Sequence, residues 1–353
     1  MKRWNAAEWH NRFRPALAPI GRGYGWAMRW REAAYRRGWL ETWRPPAPCI
    51  SVGNINWGGS GKTPLCASLL RHSVNGGQLP ALLSRGYKAR PAELPYLVQP
   101  DSPVEDSGDE PLMLARQCPG ALIVVDPSRR RAGRWIYARR QPDLFVLDDA
   151  FQHLAVSRDV DLVILTPEDL TRNWNAPLPG GTWREGRQAL KRASAVLIQA
   201  DPDGFLALGD RLRMRLAPLG IPIFSFVLLS RGVRHVSTGR SLDGLDGEYM
   251  LISGVGSPER VAGTAERLLG RKPLKHWAYP DHYAFNQSDW HRIKHRARAL
   301  GCRAVLCTPK DSVKLERWAD ERLYTFELDL ELGPSLQADT DLWTWLDGRL
   351  RQG

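Results

Sequence analysis

Cysteine is scarce and scattered in this sequence. Five of 353 residues are cysteine (Cys49, Cys66, Cys118, Cys302, Cys307), an odd number with no C-x-x-C pair. That usage argues against a disulfide framework and a zinc site, and fits a reducing compartment. No apolar run approaches the roughly 20 residues of a membrane-spanning helix. The first 40 residues hold no unbroken apolar segment, so no secretory leader is expected. Internal repeats and low-complexity stretches are absent. Gly254-Val255-Gly256 lacks the third glycine of a dinucleotide fingerprint and reads as a tight turn. Acid is also short: Lys+Arg 50 against Asp+Glu 38 gives +12, with a pI near 9.8. The expected partner is anionic: nucleic acid, a membrane surface or a phosphorylated substrate. No recognised DNA or RNA module is present, so nucleic acid is the weakest of the three.

The basic excess has an address. Residues 1–44 carry ten Lys/Arg and three acids, together with six of the fifteen tryptophans (Trp4, Trp9, Trp26, Trp30, Trp39, Trp43). Phe13, Leu17, Ile20 and Tyr24 recur at helical spacing, broken by Pro15 and Pro19. Indole at a polar–apolar boundary beside arginine suits a helix lying among lipid headgroups. A helix packed on the domain with solvated arginines is the alternative.

Glycine concentrates at Gly58-Gly59-Ser60-Gly61-Lys62-Thr63, between the apolar run Cys49-Ile50-Ser51-Val52 and a helical pattern from Leu65 to Leu70. Strand, glycine loop, Gly-Lys-Thr and helix are the context of a phosphate-binding P-loop. Backbone N–H groups would close on phosphate, Lys62 would reach the β- and γ-phosphates, and Thr63 would offer its hydroxyl to Mg²⁺. The strict G-x-x-x-x-G-K-[ST] pattern is not met, because Asn56 occupies the first glycine position.

Downstream, strand candidates (Ala81–Ser84, Ala121–Val125, Leu144–Leu147, Asp161–Leu165, Ala195–Gln199) alternate with helical segments (Glu110–Gln117, Arg129–Arg139, Phe205–Leu216). This predicts an α/β fold, a P-loop NTPase-like and mostly parallel sheet. A second alternating set runs from Met250 to Cys307. Ile221–Leu229 and Leu323–Leu330 are expected to pair as a two-stranded linker to a smaller α/β domain. The expected division is 1–40 as a membrane-contacting helical segment, 41–220 as the P-loop domain, 221–335 as the second domain, and 336–353 as a helix returning to the first.

Polar groups gather at predicted strand ends, where open α/β sheets bind ligands. Asp148 and Asp149 end one strand and suit an Mg²⁺ shell, with Gln152 and His153 close behind. Arg85 and Tyr87 follow another strand and suit phosphate and a base or sugar. Asp109 opens a helix, as a cap or as a general base. Arg129-Arg130-Arg131 reads either as a solvated turn or as an anion site, and Arg184-Glu185 either as a surface ion pair or as phosphate and metal contacts. His282 follows a second-domain strand, as structure or as catalysis.

Taken in order, Gly53-Asn54, Gly58 to Pro64, Ser84-Arg85-Gly86-Tyr87, Gly108-Asp109-Glu110-Pro111, Asp148-Asp149 with Gln152-His153, Arg184-Glu185, Asp281-His282, and Lys310-Asp311 with Val313-Lys314 resemble the tetraacyldisaccharide 4′-kinase (lipid A 4′-kinase) family. The shifted first glycine is part of that family's loop. The resemblance implies transfer of the γ-phosphoryl of ATP, with Mg²⁺, to the 4′-hydroxyl of a tetraacylated glucosamine disaccharide 1-phosphate, in a site between two α/β domains. It implies Lys62, Asp109 and His282 as catalytic, with Thr63, Asp148 and Glu185 near the metal and Asp149 beside them. Asn54, Gly58, Gly59, Ser60, Gly61, Lys62, Thr63, Gln152 and His153 are the expected nucleotide-binding residues. Arg85, Tyr87, Arg129 and Arg184 are the expected substrate contacts. His282 is expected to reach Asp109 only when the second domain closes on both substrates. The expected partners are the anionic glycolipid and the cytoplasmic face of the inner membrane, held peripherally, with no nucleic acid and no obligate protein partner. A membrane-associated ATPase or GTPase switch without a lipid acceptor is the alternative. Ala150, Tyr283 and Pro309 depart from the family pattern. Pro309 replaces the glutamate often found before Lys310-Asp311, and that loop is left without an expected role.

Overall fold

The computed structural model describes residues 6–58 and 61–351, and only the backbone of residues 6–16, 18 and 22. Gly59, Ser60 and the basic residues Lys2 and Arg3 lie outside the described residues. After α1 (Ala6–Arg36) come β1 (Cys49–Asn54), α2 (Lys62–Asn75), β2 (Pro80–Ser84), β3 (Tyr96–Val98), α3 (Val104–Ser107), α4 (Asp109–Gln117), β4 (Leu122–Val125), α5 (Arg129–Arg140), β5 (Leu144–Asp148), β6 (Val160–Leu165) and β7 (Ala195–Gln199). Two short helices follow, α6 (Pro202–Ala207) and α7 (Gly209–Arg215), and then β8 (Ile223–His235) and β9 (Ser241–Leu242). The second alternating set is β10 (Tyr249–Ser253), α8 (Pro258–Leu269), β11 (Lys275–Ala278), α9 (Gln287–Ala299), β12 (Ala304–Cys307) and α10 (Pro309–Leu315). β13 (Leu323–Leu336) and α11 (Leu342–Arg351) complete the described chain.

The central strands are near-continuous Val, Ile and Leu, which suits a parallel sheet covered on both faces. β1, β5 and β6 are buried along their whole lengths. The strands form one sheet in the order β11-β10-β12-β13-β8-β7-β6-β1-β5-β2-β4-β3, with β9 beside β8. β5 and β6 flank β1 in parallel. The chain leaves β1 in one direction toward β2 and later fills the other side with β6 and β7. The carboxyl end of β1 therefore lies at a switch in winding direction, the usual crevice for a ligand. α2 covers one face through Leu65, Cys66, Leu69 and Leu70, packed with Ile50, Val146 and Leu162. Each such side chain contributes about 1.5–3 kcal/mol on burial.

β8 and β13 pair antiparallel, with Leu330 opposite Leu228 and Tyr324 opposite His235. They serve both halves of the molecule. Phe224 and Phe226 sit in the core of Ile50 and Leu197, while Val233 and Phe326 sit in that of Leu251 and Leu306. α11 returns to the first core through Leu342 and Leu346.

Some expectations need correction. Pro15 and Pro19 do not interrupt α1, which is one helix of 31 residues. Pro19 is exposed, and a carbonyl left unpaired there is open to water. The single helix expected over Phe205–Leu216 is two, divided where Gly209 follows Leu208; glycine weakens a helix interior. β8 runs six residues beyond the expected Leu229, because its partner β13 is equally long. Among the described residues no helix is long and apolar enough to cross a membrane.

Candidate active site

The parallel strands β1, β2 and β5 end on one rim. At the end of β1, buried Asn54 donates through Nδ2 to Asn56 Oδ1 at 2.7 Å and to the Gly58 carbonyl at 3.2 Å. Asn56 donates in turn to buried Asp169 at 2.5 Å. Gln152 Nε2 donates to the Asn54 carbonyl at 2.9 Å. Asn54 and Gln152 thus brace the loop from within. Gly61 takes φ +80, the left-handed region that favours glycine. α2 begins at the next residue with no acid in its first turn, so its positive end meets the loop uncompensated.

Carboxylates crowd opposite that helix end. Asp149, held at φ +48, lies 3.3 Å from Lys62 Nζ and takes both its oxygens to Arg184 Nη1 at 3.0 Å. Burial acts to raise its carboxyl, but Lys62 and Arg184 outweigh burial and hold it below the usual carboxylate value. Asp148 is deeper and is reached by the Ser84 hydroxyl at 3.4 Å. Burial, then Glu110 and Asp149, push its carboxyl up to about 6. Asp148, Asp149 and Glu110 act on one another here, and carboxylate oxygens are the hard donors that a divalent cation prefers. Thr63 Oγ1 donates to Glu110 Oε2 at 3.2 Å, closing the same pocket. Among the described residues no group of three His, Cys, Asp or Glu side chains is arranged to hold a metal alone. Mg²⁺ takes one or two carboxylates and other oxygen donors, and the Thr63 hydroxyl and Asp148 carboxyl are donors of that kind. Thr63 and Asp148 therefore fit the ion.

The second carboxylate group lies at the N-terminus of α4. Asp109 Oδ2 is 3.1 Å from His282 Nδ1. Burial works to raise the Asp109 carboxyl, but the His282 hydrogen bond, Lys310 and Lys314 hold it below its ordinary value. Lys310 Nζ lies 2.9 Å from His282 Nε2, 3.1 Å from Asp281 and 3.2 Å from Glu110. The Tyr87 ring packs against the imidazole with centroids 4.6 Å apart, and Lys88 donates to the His282 carbonyl at 3.1 Å. His282 itself stands at φ +56, a costly conformation for a non-glycine residue and one that collects at functional sites. Tyr87, Lys88 and Lys310 hold His282 against Asp109, the pair expected to meet when the second domain closes.

Other expected residues lie elsewhere. Glu185 does not join the Thr63–Asp148 group. Both its oxygens accept from Arg192, at 2.9 and 3.0 Å, and Arg192 also bonds Glu32 of α1 at 2.8 Å. Arg129 is no solvated turn: it is buried and donates to the Asp148 carbonyl at 3.0 Å. Its neighbour Arg131 pairs with Asp126. Arg85 is exposed on the rim. His153 is pulled down to about 4, first by burial and then by Arg129, Arg158, Arg31 and Arg85, so a neutral ring sits inside a ring of guanidinium charge. Glu110, Lys310 and Arg192 are functional candidates that motif reading passed over. Glu110 adjoins Asp109 at the start of α4, a helix-start signal, and Lys310 follows the end of β12, a strand-end signal. Arg192 had no local signal.

A family model described as Tetraacyldisaccharide-1-P 4′-kinase matches residues 13–351. A tetraacyldisaccharide 4′-kinase of Nitratidesulfovibrio vulgaris is 43% identical over 98% of this chain and 96% of its own length. One from Pseudomonas paraeruginosa is 33% identical over 98% of this chain and 96% of its own length. A crystal structure of LpxK from Aquifex aeolicus in complex with ATP superposes with a TM-score of 0.74 at 25% identity, covering 96% of this chain and 99% of that one. Similarity spread over nearly the whole of both chains, rather than confined to the P-loop, places this chain in the tetraacyldisaccharide-1-P 4′-kinase family.

Proposed function

We propose that this chain transfers the γ-phosphoryl group of ATP to the 4′-hydroxyl of a tetraacylated glucosamine disaccharide 1-phosphate, a step in lipid A assembly. One observation supports the reading most: Glu110 accepts the Thr63 hydroxyl while the adjacent Asp109 holds His282. Phosphate-binding and base elements are joined through two consecutive residues. A nucleotide switch without a lipid acceptor has no use for that pair.

The residues divide the work. The loop from Gly58 to Thr63 and the end of α2 cradle the triphosphate, and Lys62 follows its β- and γ-oxygens. Asp149 positions Lys62 and Arg184 at the mouth of that loop. Thr63 and Asp148 would hold Mg²⁺, which would supply positive charge against the phosphates. Asp109 takes the proton of the 4′-hydroxyl as its oxygen bonds to the γ-phosphorus. The bond from that phosphorus to the bridging oxygen breaks, and its electron pair leaves with ADP. Arg85 and Arg129 supply positive charge suited to the second anionic end of the glycolipid, with the neutral His153 ring beside them.

The lipid comes from a membrane surface. Ile20, Trp26, Trp30, Trp39 and Leu40 are exposed along and just after α1, with Arg29, Arg36 and Arg37 exposed among them. The opposite face is fixed to the protein: Gly21 approaches the 177–180 backbone, and Arg31 donates to the Gln152 carbonyl at 3.0 Å. This pattern supports peripheral binding to the cytoplasmic face of the inner membrane through residues 1–40. Residues 41–220 then form the kinase domain, 221–335 the second domain, and 336–353 the returning helix. The test is nucleotide turnover with the acylated disaccharide 1-phosphate, with its deacylated form, and with no acceptor. Turnover should require an acceptor and be fastest with the acylated one. Equal turnover in all three arms would overturn the proposal.

A further inference from the structure

We infer that Lys310 is a positioning residue that fixes His282 as the Nδ1–H tautomer, so that His282 works as a standing hydrogen-bond donor to Asp109 and not as a proton relay. The rate consequence rests on the kinase reading above; the tautomer assignment rests on contacts alone.

An imidazole has two ring nitrogens, and the partner of one dictates the state of the other. Nε2 of His282 faces Lys310 Nζ at 2.9 Å. An ammonium carries donors only, so Nε2 must accept. Nδ1 faces an Asp109 carboxylate oxygen at 3.1 Å, which accepts only, so Nδ1 must carry the hydrogen. The opposite tautomer would set a lone pair against the carboxylate and an N–H against the ammonium. Burial acts to lower the Lys310 ammonium, but Glu110, Asp109 and Asp281 outweigh it and keep Lys310 charged.

The other charged groups around the ring agree. Asp281 Oδ1 is 3.9 Å from Nε2 and 3.1 Å from Lys310 Nζ, which places it on the ammonium's side. From α4, Asp109 and Glu110 face the ring and Lys310 respectively; from α10, Lys314 stands 3.8 Å from Asp109. From the β2 end, Tyr87 packs on the ring and Lys88 is spent on the His282 carbonyl. Lys310 is 14% exposed, so its hydrogen bonds are largely shielded from water.

A consequence follows for the reaction. Nδ1 already bears a proton, so it has no lone pair for the one that Asp109 takes from the sugar hydroxyl. The proton stays on the Asp109 carboxyl until product leaves. Lys310 thus acts through His282 on Asp109 and also reaches Glu110, the partner of Thr63.

The test is ¹⁵N spectroscopy of histidine-labelled full-length protein, with His282 assigned from its absence in His282→Asn. In the wild type, His282 should show a protonated Nδ1 and a bare Nε2. Lys310→Met should free Nε2 to take a proton, moving His282 to the imidazolium while Asp109 keeps Nδ1–H, and cut kcat by about tenfold or more at unchanged KM for ATP. Lys310→Arg, which keeps a cationic donor, should restore both the spectrum and most of the rate. A protonated Nε2 in the folded wild type would overturn the assignment. So would an unchanged His282 signal in folded Lys310→Met. If the variant does not fold, the wild-type spectrum decides alone.

Discussion

At the scale of single residues, Lys62 carries the largest expected effect. It already spans from α2 to Asp149, and the charge it meets grows as the phosphoryl group moves. Lys62→Ala should lose on the order of a hundredfold or more in kcat while remaining folded; circular dichroism beside the assay checks both. His153 yields a stability prediction of definite sign. Its imidazole is held down to about 4 in the fold, against about 6.5 unfolded. Between those values the unfolded chain binds the proton and the native one does not, so stability falls as pH drops through that window. Melting temperatures from about pH 7 to about pH 5 should fall less steeply in His153→Gln than in the wild type. Equal slopes would mean that another group carries the effect. Residue identity at the rim was legible because motifs at strand ends and helix starts name their chemistry: Asp109, Asp148 and Lys62 were all visible. What those residues do for one another was not. Glu185 read as a metal neighbour, yet its partner Arg192 is set by the packing of a loop against α1, and no local pattern encodes that.

At the scale of elements, α1 divides its labour between faces. Glu32 and Arg31 secure one side to Arg192 and Gln152, and exposed Trp26 and Trp30 occupy another. Replacing Arg36 and Arg37 with glutamine should weaken binding to anionic vesicles by about 2 kcal/mol, at roughly 1 kcal/mol for each basic group. ATP binding to the same protein without vesicles should not change. Unaltered co-sedimentation would show that the basic face is merely solvated. The turn from β1 into α2 is equally specific. An added Cβ at Gly53 would lie 2.6 Å from the Phe151 backbone, so Gly53→Ala must displace Phe151 and the Asp148-Asp149 turn ahead of it. It should cost stability and raise the KM for ATP together. Elements with a clear apolar run or helical segment were legible almost to the residue, as in β7 and α5. β3 and β9 were not, because strands of two or three residues carry no period. The continuity of α1 through two prolines depends on which side of the helix meets solvent, which composition does not reveal.

At the scale of the molecule, a single sheet runs through both halves, and β8 with β13 belongs to both cores. Ion pairs reinforce the join beside the site: Lys310 with Glu110, Arg317 with Glu105, and Arg116 with Glu316. The halves should unfold together in one calorimetric transition, and Mg²⁺ with ATP should move the whole transition upward. Two separate transitions, with nucleotide shifting only one, would contradict the shared-strand account. The sequence revealed the two alternating sets and their linking pair. It did not reveal how His282 is held against Asp109, because that contact depends on how Tyr87 and Lys88 from one segment and Lys310 from another converge on the ring.

The central claim is that Asp109 and His282 act as one unit on the acceptor hydroxyl. A double-mutant cycle on phosphoryl transfer to the acylated disaccharide 1-phosphate, at saturating lipid, tests it most directly. Asp109→Ala and His282→Ala should each lower kcat by about 10²–10⁴. The double variant should be little worse than the more damaged single one, with ATP affinity retained in all three. Losses that multiply in the double variant, or near-normal transfer by either single variant, would contradict the account.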